Sequence, residues 1–320
     1  MTDASTATDR STAASRPPTG LSIAMTGASG LIGRALRALL IAAGHRVLPV
    51  VRHPPSQDEI GWDPERSRID ATGFEGLNAV VHLAGESVAQ RWTADRMERI
   101  RRSRELGTSL LARTLAGVKR PPESLISASA IGIYGDRGDE LLPEEAPTPG
   151  ASSQSFLARV GTTWEASAAP AASAGIRVVH LRTGIVLTPA GGALKPMLVP
   201  FRLGVGGQLG SGRQWMSWIA MDDLLGAYQH CLTGNGLSGP VNAVAPNPVI
   251  NREFTRLLAE VLHRPALFPV PAVALRLLLG RMADELLLYS QRVVPGQLDR
   301  SGFAFRYPDL KLALVHLLSR

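Results

Sequence analysis

Gly27, Gly30 and Gly33, in the run Gly27-Ala28-Ser29-Gly30-Leu31-Ile32-Gly33, are the residues whose types and spacing point most directly to chemistry. Holding a pyrophosphate needs backbone N–H groups that approach closely and a helix N-terminus aimed at the anion, and a Cβ at such positions would intrude. The spacing differs from G-x-G-x-x-G, so its context must carry the assignment. An apolar run, Leu21 to Met25, enters the loop, and a helical stripe of Ile32, Ala35, Leu36, Leu39 and Ala43 leaves it before Gly44. A second apolar run, Val47 to Val51, follows at once. Strand, helix and strand in about thirty residues is the length of one parallel βαβ unit. Pro49 predicts that the second strand is short or bulged, because proline cannot donate to a ladder.

A dinucleotide site for NAD(H) usually places an acidic residue about 20 positions past such a loop, whereas a 2′-phosphate calls for arginine. No Asp or Glu occurs between Gly27 and Gln57, and Arg52 stands just past the second strand, with Arg34 beside the last glycine. A guanidinium binds phosphate bidentately, so the expected ligand is NADP(H) in preference to NAD(H). The other reading of Arg52 is an exposed loop residue. The expected cofactor contacts are Gly27, Ser29, Gly30, Leu31, Ile32, Gly33, Arg52, Leu83, Ala84 and Gly85.

Further apolar runs at Ala79 to Leu83, Ser124 to Ser127 and Ile176 to Leu181 alternate with helical stretches around 94–118 and 157–174. That alternation predicts an α/β fold with a Rossmann-type doubly wound parallel sheet. After Thr183 the text turns to glycine-rich loops and, from Asn251, to helices. We therefore expect residues 1–20 to be a disordered tail, 21–182 the dinucleotide-binding domain, and 183–320 a smaller, mostly helical substrate-side region. Asn251 is the expected N-cap of a helix with the stripe Phe254, Leu257, Leu258 and Val261. The stretch Pro271 to Leu288, interrupted by Arg276, Arg281, Asp284 and Glu285, reads as a core helix rather than a membrane span.

Composition narrows the function. The 34 Lys and Arg against 27 Asp and Glu give a net charge of +7. The densest run, Arg91 to Arg104, reads as the solvated face of a helix, and no aromatic-basic stripe or zinc spacing accompanies it, so nucleic acid is not an expected partner. One cysteine, Cys231, excludes an intramolecular disulfide and fits a reducing cytoplasm. Residues 1–20 lack the apolar region of a signal peptide. The seven histidines show no H-x-x-x-H or H-x-x-E-H spacing, so no metal is expected, and there is no G-x-S-x-G elbow or Walker lysine.

T-G-A-S-G-L-I-G at 26–33, V-V-H-L-A-G-E at 80–86, S-A-S-A-I-G-I-Y-G at 127–135 and W-I-A-M-D-D at 218–223 resemble the extended short-chain dehydrogenase/reductases, the sugar-nucleotide epimerase and dehydratase group. G-W-D-P at 61–64, G-G-Q-L-G-S-G-R-Q-W at 206–215 and the text from Val241 to Leu318 narrow the resemblance to its atypical epimerase-like branch with a C-terminal domain of its own. The resemblance implies NADP(H) and a substrate cleft under the C-terminal part. Its usual Tyr-x-x-x-Lys pair is missing: with Glu165 set on the family's glutamate, Leu157 falls at the tyrosine and Gly161 at the lysine. Neither can exchange a proton with a substrate oxygen.

The resemblance puts Ser129 at the strand-end position that contacts substrate, and Tyr134 is the nearest phenol to the expected nicotinamide. Tyr134 has a second reading, as a ring packed under the loop. Arg182 ends a strand and faces the crevice by the switch-point rule. Gln214, Trp215 and Trp218 would line the cleft-facing loop, or equally a domain seam. Asp222 and Asp223 read as helix caps. The expected function is an NADP(H)-dependent oxidoreductase or epimerase-like enzyme on a small polar, sugar- or nucleotide-like substrate; the alternative is a non-catalytic NADP(H)-binding sensor. A homo-oligomer is compatible with the sequence.

Overall fold

The computed structural model describes residues 20–233 and 236–319, so nearly all of the expected tail lies outside the described residues. Eight strands form the main sheet: β1 (Ser22–Thr26), β2 (Arg46–Val51), β3 (Ile60–Asp63), β4 (Arg68–Ile69), β5 (Ala79–His82), β6 (Ser124–Ala130), and, after a two-residue strand β7 (Leu141–Leu142), β8 (Arg177–Thr183). The eighth member comes later in the chain, following β9 (Ile185–Leu187), β10 (Trp215–Met216) and β11 (Trp218–Ala220), as β12 (Gly239–Ala243). The order β12-β8-β6-β5-β1-β2-β3-β4 is parallel throughout except for the β3–β4 edge. Strand order reverses between β1 and β5, the point at which an open α/β sheet holds its ligand.

Alternation along β1 shows how the sequence places both layers. Ile23 and Met25 face a core shared with Leu36 and Leu40 of α1 (Leu31–Ala42) and with Leu224 and Tyr228 of α6 (Met221–Leu232). Ala24 faces the opposite layer, with Leu111 and Leu115 of α2 (Ala94–Gly117) and Ala171 of α4 (Ala169–Ser173). Successive strand side chains point to opposite faces, so one apolar run serves two helical layers. The helix α3 (Phe156–Ala166) lies beside α2. Because α6 and β12 return to the large sheet, the chain past residue 183 supplies both a helix and the edge strand of the dinucleotide-binding half.

Pro49 neither shortens nor bulges β2, which pairs with β1 from Arg46 to Val50. Strand β3 joins only at Val50 and Val51, so Pro49 has a neighbour on one side, where proline is tolerated. A third core gathers α5 (Leu194–Arg202), α7 (Asn251–Leu262) and the terminal helix Leu310–Leu318 around Trp218. Asn251 is the first residue of α7 rather than its cap: its Oδ1 accepts from Leu209 N at 2.8 Å, bracing the preceding loop. Asp222 and Asp223 likewise lie inside the first turn of α6, and Asp223 accepts from the backbone N–H groups of Arg306 and Tyr307 at 2.8 and 3.0 Å.

The expected core helix over Pro271 to Leu288 is broken. Helix α8 (Ala272–Leu279) ends at Gly280, whose φ of +61° suits glycine, and a π-helical turn covers Asp284–Leu288. Leu277 and Leu278 of α8 are 77% and 69% exposed, so its apolar text does not mark a core element. No helix among the described residues is long and apolar enough to cross a membrane.

Candidate functional site

The turn from β1 into α1 is a cradle that side chains would fill. A Cβ on Gly33 would stand 2.1 Å from the Gly27 carbonyl oxygen, and one on Gly27, which has φ of +67°, would stand 2.8 Å from the Leu83 carbonyl carbon. Thr26 draws the neighbouring loop in, its Oγ1 accepting from both Leu83 N and Ala84 N at 3.1 Å. Ser29 and Gly30 stay exposed at the head of α1, which has no side-chain cap and no acidic residue in its first turn. Its leading N–H groups are therefore left for an anion. The loop around Gly191 and Gly192 packs against Leu31, so the glycine-rich text after Thr183 roofs the same turn. Arg52 is exposed just past β2 and has no ion pair among the described residues, while Arg34 donates to the Ser29 carbonyl at 2.6 Å. These features fit a dinucleotide phosphate.

The polar residues expected around the cleft form instead a buried network. Sheet register explains it: Ser129, Arg182 and Asn242 are partners across β6, β8 and β12, so their side chains share one face near the carboxyl edge. Arg182 donates from Nε and Nη2 to the two carboxylate oxygens of Glu165 on α3, both at 2.8 Å. Ser129 Oγ donates to the same carboxylate at 2.7 Å. Arg182 Nη1 donates to the Tyr134 hydroxyl at 2.9 Å, and that hydroxyl donates to Asn242 Oδ1 at 2.9 Å. Burial works against the Arg182 charge, but the Glu165 carboxylate outweighs it and pushes the guanidinium above its usual range. Burial pushes the Tyr134 phenol up as well, against the pull of Arg182.

Tyr134 is fully buried, so its phenol packs beneath the loop after β6 and does not face a cleft. Arg182, 6% exposed, holds Glu165 rather than opening onto the crevice. Gln214 is bound to the carbonyls of Leu209 and Leu287, and Trp218 is wholly buried with its indole N–H on Asn247 O. Trp215 is partly exposed, pinned by Asp139 at 2.8 Å and covered by the Arg292 guanidinium. Of the expected substrate contacts, Trp215 is bonded across the two parts of the chain, whereas the Arg182 side chain is committed within the first part and Gln214 and Trp218 within the second. Leu287 lies 73 residues from Gln214 and Asp139 lies 76 from Trp215, separations that spacing alone does not show.

The positions at which the resemblance sets the tyrosine and lysine, Leu157 and Gly161, are filled. A Cβ on Gly161 would come within 2.9 Å of Ile133 Cβ and 3.2 Å of Ile133 Cα, and Leu157 packs over Gly132. The turn Ile131–Tyr134 thus lies directly against α3, leaving no space for a lysine at 161. Glu285 from the π-helical turn seals the start of the same helix, accepting from Phe156 N and Leu157 N at 2.9 and 2.8 Å and from Ser155 Oγ. Burial would raise its carboxyl, yet these N–H groups and the Arg281 guanidinium hold it below the usual range. Sequence reading missed Glu285 entirely, since the acids of that stretch only argued against a membrane span.

His82, at the end of β5, bridges Thr26 at 2.7 Å and Thr108 of α2 at 2.9 Å. Complete burial, helped by nearby Arg104, lowers it to about 4, so it is neutral and structural.

Known proteins agree with this geometry. The family model described as "NAD dependent epimerase/dehydratase family" matches residues 23–243, and a "Domain of unknown function (DUF1731)" matches 270–317. Epimerase family protein Mb2239 of Mycobacterium bovis is 41% identical over 302 residues, covering 93% of this chain and 98% of the relative. Epimerase family protein YfhF of Bacillus subtilis is 34% identical over 304 residues, covering 93% and 98%. The crystal structure of human epimerase family protein SDR39U1 with NADPH superposes with a TM-score of 0.85 at 34% identity, covering 94% of this chain and all of that one. With its Rossmann-like sheet, glycine turn and helical C-terminal region, this chain belongs to the NAD dependent epimerase/dehydratase family.

Proposed function

We propose that the chain is an NADP(H)-dependent oxidoreductase or epimerase-like enzyme acting on a small polar, sugar- or nucleotide-like substrate, with Leu157 and Gly161 where the family's Tyr-x-x-x-Lys pair would stand. The observation that carries this reading is the turn Gly27–Gly33, closed to a Cβ at Gly27 and Gly33 and open at the α1 N-terminus, with Arg52 exposed just past β2 and without an ion pair among the described residues. The NADPH bound by the human relative supports the same choice. When bound, the cofactor supplies or accepts a hydride. The chain's own groups do the rest: α1 N–H groups face the pyrophosphate, and the Arg52 guanidinium takes the 2′-phosphate.

Ser129, 3% exposed, belongs to the same buried network as Arg182 and is a positioning residue for Glu165 rather than the substrate contact expected of it. Its hydroxyl proton is held by Glu165, so it is not free to donate to a substrate oxygen. Tyr134 acts as a positioning residue, holding Arg182 and through it Glu165. A second reading, an NADP(H) sensor without turnover, is favoured by the burial of Tyr134 and the filled positions 157 and 161.

The test is consumption of NADPH by the pure protein against a panel of carbonyl compounds that includes nucleotide sugars. We expect turnover with at least one, and a fall of less than about tenfold in kcat for both Ser129→Ala and Tyr134→Phe, as positioning residues. Tight NADPH binding with no consumption across the panel would replace the enzyme by the sensor.

A further inference from the structure

The arginine run at the start of α2 is not simply a solvated face. Arg104 follows Ile100 and precedes Thr108 at intervals of four, and both neighbours are fully buried, so it lies on the inward stripe of the helix. Its guanidinium sits over the Trp164 ring of α3 at 4.9 Å and within 3.4 Å of where a Gly85 Cβ would be. It therefore occupies the gap between the loop Leu83–Glu86, which touches the glycine turn, and the helix that lacks the tyrosine and lysine.

Arg104's hydrogen bonds among the described residues all leave from Nη1, to the carbonyls of Glu86 at 3.0 Å and Ile100 at 3.1 Å. The neighbouring carboxylate, Glu86, is held by Arg96 at 2.6 Å instead. The Nε–Nη2 edge has no acceptor among the described residues, and the buried indole N–H of Trp164 next to it has none there either. Two anchored carbonyl contacts fix the plane of the guanidinium and leave free the edge whose parallel N–H groups match a carboxylate or a phosphate. Burial pulls Arg104 down to about 10 and the charge of nearby Glu86 pulls it up, so it is still charged at neutral pH, with no carboxylate bonded to it among the described residues.

We infer that Arg104 is an anion-binding residue of the substrate site, its Nε–Nη2 edge taking a carboxylate or phosphate group carried by the substrate. The inference rests on the proposed function and narrows its substrate class to anionic compounds. Such a site stays cationic and partly desolvated until its ligand arrives, which favours anionic over neutral compounds of equal size.

The experiment titrates the NADPH-saturated full chain with malonate and, separately, with inorganic phosphate, against sodium chloride at matched ionic strength, by calorimetry. We expect one of the two anions to bind more tightly than chloride, malonate alone marking a carboxylate and phosphate alone a phosphoryl group. Arg104→Gln should weaken that anion at least tenfold, and Arg104→Lys, which keeps the charge but not the fork, by an intermediate factor, while NADPH affinity in the same samples moves less than threefold. Equal anion binding by wild type and Arg104→Gln would overturn the inference, as would a wild type that binds NADPH but neither anion beyond chloride. A parallel loss of NADPH affinity would reassign the guanidinium to the cofactor and overturn it too. A wild type that fails to bind NADPH would instead defeat the functional reading on which it rests.

Discussion

Removing the Glu165 carboxylate should cost more stability than removing it together with its arginine. Arg182 and Glu165 side chains are 7% and 14% exposed, and the contact is bidentate at 2.8 Å. Taking away one partner of a buried pair leaves an uncompensated charge and costs about 3–5 kcal/mol, and the residual exposure of Glu165 puts Glu165→Leu near about 3 kcal/mol. Arg182→Met should cost a similar amount, because Glu165 then keeps only Ser129 among its present donors. In the double variant both charges are gone. What remains is the loss of one hydrogen bond each for Ser129 and Tyr134, about 1 kcal/mol apiece. The double variant is therefore expected near about 2 kcal/mol, far below the sum of the singles. For a chain of this size a urea slope of about 3 kcal/mol per molar converts each single loss to a fall of about 1 M in the unfolding midpoint. Circular dichroism across a urea series measures all four proteins. Additive losses would refute the idea that these groups form one buried network.

Other expectations follow from the same geometry. Gly161→Lys should destabilise despite glycine's low helix propensity, since its Cβ would meet Ile133 Cβ and Cα; overpacking of this kind costs about 1–3 kcal/mol, and a Leu157→Tyr/Gly161→Lys protein that is as stable as wild type would show that the space exists. Glu285→Gln should lower stability by about 2 kcal/mol and speed hydrogen exchange at the Phe156 and Leu157 amides; unchanged exchange there would contradict the cap. Because Glu285 sits below its usual range when folded, its contribution is complete above the ordinary carboxyl pKa of about 4.5 and disappears as pH falls through the folded value. His82 acts higher on the scale: lowered from 6.5 to about 4, it costs the fold progressively between those values, about 3 kcal/mol in all. Unfolding midpoints from pH 7 to 4 should therefore fall less steeply in His82→Gln, and identical slopes would exclude the assignment.

The glycine turn and the strands around it were legible because their signals are local. A βαβ unit needs only neighbouring apolar runs, and Gly27 and Gly33 are required by contacts within a few residues or one adjacent loop. The substrate-side residues were not legible, for the opposite reason. Tyr134 meets Asn242 across 108 positions, and Ser155 meets Glu285 across 130, so no spacing announces either pair. Polar donors and indoles near a glycine loop suit a cleft, a seam or a packed interior alike, and only burial and bonding put Gln214 and Trp218 in the last of these. Pro271 to Leu288 misled for another reason: apolar content suggested a buried helix, while Gly280 turns the chain and leaves Leu277 and Leu278 facing out. Arg104 carried a usable signal, the four-residue spacing from Ile100 to Thr108, hidden by the charge density of its neighbours.

The central claim is that the turn after β1 and Arg52 after β2 form an NADP(H) site. Calorimetric titration of NADPH and NADH into wild type and Arg52→Asp tests it most directly. Wild type should prefer NADPH by at least about tenfold, the value of one lost charge-assisted contact, and Arg52→Asp should reverse or erase that preference while still binding NADH. Equal affinity of wild type for the two cofactors, or an unchanged ratio in Arg52→Asp, would contradict the account.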